Sequence, residues 1–63
     1  EVKEIKLHLP YDKAEILDWL HNNGEVTKEE YKGEEIYIAG KLEQHLLAEL
    51  RHELTDGELE EIQ

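Results

Sequence analysis

The sequence predicts an α+β fold: a three-stranded antiparallel or mixed sheet with two helices on one face, in the order βαββα, half of a ferredoxin-like unit. Three observations lead there. Apolar residues alternate in two stretches, at Ile5, Leu7 and Leu9 and again at Ile36 and Ile38. Two other stretches carry apolar residues at helical spacing, Ile16, Leu17 and Leu20 in one and Leu42, Leu46, Leu47, Leu50 and Leu54 in the other. Pro10, Gly24 and Gly33 punctuate the boundaries between them.

Residues 2 to 9 read as a half-buried first strand, with Lys6 and His8 facing away from the apolar side and Pro10 ending the run, because proline cannot donate to a sheet ladder. Asp12 then stands at an N-cap, with Glu15 three residues on as the return partner of a capping box. The first helix buries Ile16, Leu17 and Leu20, with Ala14 and His21 at one margin and Trp19 at the other. "NNG" closes it, with Gly24 suited to a left-handed C-terminal position.

Residues 25 to 31 form a thin second strand, in which Val26 and Tyr31 are five apart and cannot both face the core of a regular strand. Either a bulge reconciles them or one of the two is exposed. "KGEE" is a hairpin turn built on Gly33, and "EIYIAG" is the third strand, apolar enough on both faces to lie in the middle of the sheet. The strand order is then 1-3-2. The second helix carries the leucine stripe and starts just after Glu43 if that glutamate is kept out of it. The expected core is Ile5, Leu7, Leu9, Leu17, Leu20, Ile36, Ile38, Leu46 and Leu50, and the other sheet face carries Lys6, His8, Tyr37 and Ala39. Residues 1–54 make the domain; residues 55–63 form an acidic tail, a short helical turn capped by Thr55 and Glu58 or a disordered end.

The totals narrow the function. At 63 residues the chain is one domain at most and buries only about 60% of its unfolded surface. With no cysteine it holds neither a disulfide nor a thiolate metal site. No signal peptide and no membrane-length apolar run is legible, so a cytoplasmic location is expected. The chain opens within a strand and without an initiator methionine, which suggests a fragment or a processed product. A net charge of −10, from 17 acidic and 7 basic residues, repels phosphate backbones and disfavours direct nucleic-acid binding.

Catalytic motifs are missing. There is no glycine-rich phosphate loop and no GK[ST] triplet, and "TDG" is turn chemistry at Thr55 and Asp56. The best chemical cluster is His45, Glu49 and His52 on the polar face of the second helix, with the E-x-x-H spacing of carboxylate di-iron proteins. That architecture needs a second copy and further glutamates, so a solvated helix face is the expectation and no metal is assigned. The remaining carboxylate pairs, Glu29/Glu30 and Glu34/Glu35, read as solubilising charge. Trp19 caps the core margin or anchors a partner, tryptophan being over-represented at binding hot spots. Tyr31 and Tyr37 share the second reading if they lie on the open sheet face, and the uncovered apolar surface of such a fragment also favours a dimer.

"LPYDKAEILDWLHNNGEVTKEEY", with a short turn and "EIYIAGKL" after it, resembles the C-terminal domain of HflX-type GTPases. Leu9-Pro10-Tyr11-Asp12-Lys13, Gly24-Glu25-Val26 and Glu29-Glu30-Tyr31 follow the pattern of that domain in order and spacing, over roughly residues 3–50. The long leucine-rich second helix and the acidic tail depart from it. The resemblance implies a non-catalytic accessory domain of a GTPase that associates with the large ribosomal subunit and helps split or rescue ribosomes. It implies packing against a GTP-binding domain of the parent chain, with GTP and Mg²⁺ held there and no cofactor here. It also implies contact with the ribosome, through basic protein more than rRNA given the acidic charge. The competing reading is a stand-alone acidic α+β interaction module or designed scaffold.

Overall fold

A computed structural model describes residues 1–62. The order is β1 (Val2–Pro10), a 3-10 turn (Tyr11–Lys13), α1 (Ala14–Asn23), β2 (Glu25–Lys32), β3 (Glu35–Glu43), α2 (Gln44–Arg51) and β4 (Leu59–Ile62). The sheet is β2-β3-β1-β4, every neighbouring pair antiparallel. The first three strands therefore lie in the expected 1-3-2 order, but the sheet has a fourth strand. The unit is a complete βαββαβ, ferredoxin-like arrangement and not a half of one.

Alternation decides which residues meet. Ile5 faces Gly40, Leu7 faces Ile38 and Leu9 faces Ile36, and these apolar side chains turn to the helices. Lys6 opposite Ala39 and His8 opposite Tyr37 turn to the uncovered face, as the sequence suggests. Ile16, Leu17 and Leu20 of α1 and Leu47 and Leu50 of α2 close the core from the same side. Leu42 is buried from the end of β3, not from α2. Because the helix starts only at Gln44, Leu47 rather than Leu46 points into the sheet, and Leu46 is half-buried at the flank.

The second strand carries the bulge that Val26 and Tyr31 require. Val26 opposes Gly40 and Lys28 opposes Ala39, so Thr27 is the inserted residue. The slip places Val26, Glu29 and Tyr31 on the helix side, where Tyr31 nevertheless remains exposed. Gly33, at φ 62°, opens the two-residue hairpin loop.

Three local expectations are overturned. Asp12 makes no capping bond; it sits inside the 3-10 turn, and the α1 N-cap is Lys13, also without a side-chain bond. Gly24 does not take the left-handed conformation, its φ and ψ being −144° and −151°. It is glycine because a Cβ there would lie 2.6 Å from the Lys41 carbonyl oxygen and 2.9 Å from Leu42 Cδ1. The acidic tail is neither helix nor disordered over 59–62: Leu59 pairs with Leu7 and Ile62 with Glu4 along the edge of β1. The peptide of His8 extends that ladder by donating to the Glu58 carbonyl at 2.9 Å.

Candidate functional site

The structure distributes the three aromatic contact candidates over three surfaces. Tyr37 stands on the uncovered sheet face, its ring 4.6 Å from that of His8. Its hydroxyl donates to Glu35 at 3.2 Å, and the retained proton raises its pKa above the usual tyrosine value. Lys32 lies 6.0 Å from the ring centroid. The surrounding face carries Lys6, Lys28 and Glu30 as well, so it is of mixed charge.

Tyr31 is not on that face. It stacks on Tyr11, with ring centroids 6.5 Å apart and planes within 5°, at the corner where the 3-10 turn meets β2. Its hydroxyl donates to Glu29 Oε2 at 2.6 Å, while His21 Nε2 donates to Glu29 Oε1 at 3.0 Å. These two donors hold the Glu29 carboxyl below its ordinary pKa, the tyrosine bond contributing most, and the same bond raises Tyr31. Tyr11 and the Glu29–Tyr31 pair, twenty residues apart in the sequence pattern quoted above, thus converge on one corner.

Trp19 is half-buried between the helices. Ile16, Trp19 and Leu50 form the apolar floor of a 430 Å³ groove, and Glu15, Glu49 and Glu53 form its rim. Helical spacing explains the α1 side, since Glu15 and Trp19 are four residues apart and Ile16 and Trp19 three. On the far side Leu50 comes from α2, and Glu53 from the turn whose peptide donates to the Leu50 carbonyl at 2.9 Å. Beside the groove, Lys13 donates to the Glu53 carbonyl at 3.3 Å and to Glu58 Oε1 at 2.8 Å. None of the three rim carboxylates has an ion-pair partner among the described residues.

The sequence points to Trp19 but not to this groove, because its two walls are some thirty residues apart and Glu15 and Glu49 read there as a capping partner and as part of a solvated helix face. His45, Glu49 and His52 do not form a centre: Glu49 lines the groove, His52 caps α2, and all three are exposed. Among the described residues no group of three or more histidine, cysteine, aspartate or glutamate side chains is placed to hold a metal ion. No helix is long and apolar enough to cross a membrane.

Fold and surfaces together define a small two-layer α+β domain with an apolar, acid-rimmed groove on the helix side and an uncovered sheet on the other. No family model, curated protein or solved structure matches the chain.

Proposed function

We propose that this chain is a non-catalytic accessory domain of an HflX-type, ribosome-associated GTPase, working in the cytoplasm by contact with other macromolecules. The observation that supports it most is the ordered set Leu9-Pro10-Tyr11-Asp12-Lys13, Gly24-Glu25-Val26 and Glu29-Glu30-Tyr31. Its aromatic members share one corner through the Tyr11–Tyr31 stack.

In this reading one surface packs on the GTP-binding domain of the parent and another touches the large ribosomal subunit, with Trp19, Tyr31 and Tyr37 as contacts. GTP and Mg²⁺ belong to the parent. The residues here do not suit a triphosphate: the turns at Gly33 and Gly57, with φ of 62° and 88°, are flanked by Glu34, Glu35 and Asp56, whose charge repels phosphate. The excess of acid favours basic ribosomal protein over rRNA as the neighbour.

The reading frame around the chain is one test, an upstream GK[ST] P-loop in the same frame being the expected result. Binding is the other. The domain is expected to bind proteins of the stalk base. Binding to rRNA fragments with a steep salt dependence, and none to those proteins, overturns the proposal.

A further inference from the structure

We infer that the groove between α1 and α2 is a docking site for a cationic amphipathic segment of a partner protein, one that seats a large apolar side chain on Trp19 and sets lysine or arginine against Glu15, Glu49 and Glu53. This goes beyond the ribosomal reading and does not depend on it, since it stands on the local geometry alone.

Two observations fix the chemistry of the occupant. The floor is apolar, made by Trp19 with Ile16 and Leu50, and its 430 Å³ lies within the range of clefts that bury a bound group. A half-exposed tryptophan over such a floor is the arrangement of an interface anchor, because its large flat ring gains most when water is removed from both sides. The rim is uniformly acidic. Glu15, Glu49 and Glu53 converge from α1, α2 and the following turn, and no lysine, arginine or histidine forms an ion pair with them among the described residues. Lys13 is engaged by the Glu53 carbonyl and Glu58 and forms no ion pair with the rim carboxylates.

An uncharged apolar ligand would leave that charge facing it, and an anionic one would be repelled. A second copy of the chain, carrying net charge −10 of its own, is a poor occupant for the same reason. A helix or extended segment with a leucine, isoleucine or phenylalanine between basic residues satisfies floor and rim at once. The acids steer the encounter and fix register; the apolar contact supplies most of the affinity.

Trp19 is the one tryptophan in the chain, so its emission reports directly on the groove. The probe is a short synthetic peptide of leucine and lysine at helical spacing, titrated into the chain at low salt. A matched peptide with serine in place of leucine controls for charge. The expected result is a saturable blue shift of Trp19 emission with the leucine peptide and none with the serine peptide. Glu49→Lys with Glu53→Lys weakens binding by about ten-fold or more, whereas Glu25→Lys with Glu34→Lys, the same charge change away from the groove, weakens it by only about two-fold. Circular dichroism checks that both variants keep the wild-type fold; a groove variant that does not is replaced by Glu15→Lys, compared with Glu25→Lys alone, and the groove variant is again expected to bind more weakly than its control. Equal weakening by both pairs, binding that leaves Trp19 emission unmoved, equal binding of the serine peptide, or a homodimer by sedimentation whose Trp19 emission is already blue-shifted without peptide would each overturn the inference.

Discussion

Lys13 Nζ lies 2.8 Å from Glu58 Oε1, joining the 3-10 turn that follows β1 to the residue just before β4, across most of the length of the chain. The Glu58 carboxyl also accepts the Thr55 peptide N–H at 2.8 Å. Both side chains of the pair are largely covered, at 26% and 15% exposure. The two bonds, that from Lys13 first, hold the Glu58 pKa below its ordinary value.

A carboxyl whose pKa is lower in the folded than in the unfolded chain stabilises the fold fully above its unfolded value, and loses that contribution as pH falls through the folded one. Glu58→Gln is therefore expected to cost up to about 1 kcal/mol near neutral pH, and the difference from wild type is expected to shrink as the pH drops below about 4. Urea unfolding of both proteins across that range measures it.

The fourth strand gives a second prediction. Removing residues 58–63 leaves the His8 peptide without the Glu58 carbonyl and uncovers Leu7 where Leu59 paired with it. The His8 amide is expected to lose its hydrogen-exchange protection, while amides in the β1–β3 ladder stay slower than that of His8. Unchanged protection at His8 would mean that β4 does not pair there.

The phase of α2 is tested by two neighbouring leucines. Leu47 is 1% exposed in the core, and Leu46 is half-buried at its flank. Leu47→Ala is expected to cost about 3 kcal/mol and Leu46→Ala about 1 kcal/mol. A domain of this size has only about 3 to 9 kcal/mol in total, so the first substitution brings it close to unfolding. The reverse order in thermal melts would move the start of the helix.

Gly24→Ala separates steric from conformational need. Alanine adopts a φ of −144° readily, yet its Cβ would press on the Lys41 carbonyl and Leu42. The expected cost is on the order of 2 kcal/mol, read from chemical denaturation.

Much of this architecture is legible from periodicity. The alternation of Ile5, Leu7 and Leu9, the stripe of Ile16, Leu17 and Leu20, and the conflict between Val26 and Tyr31 each correspond to a strand, a helix and a bulge in the structure. What is illegible depends on distant partners. Leu59 and Ile62 are three apart, a helical spacing, and only the free edge of β1 makes "LEEI" a strand, with Arg51 reaching Glu61 across to it. Leu42 is four residues before Leu46 and so matches the helical stripe, although β3 carries it into the core. Asp12 followed by Glu15 has the letters of a cap, but the chain first makes a 3-10 turn. The groove needs Trp19 and Leu50 side by side, which no local pattern announces.

Co-sedimentation of the chain with purified ribosomal subunits tests the central claim, that this domain acts by contact, most directly. The account predicts that it pellets with the large subunit and not with the small one, and that at least one of Trp19→Ala and Tyr37→Ala, which lie on opposite faces and are both checked for folding by circular dichroism, reduces the pelleted fraction. Failure to pellet with large subunits at low salt, or equal pelleting of the wild type and both variants, would contradict it.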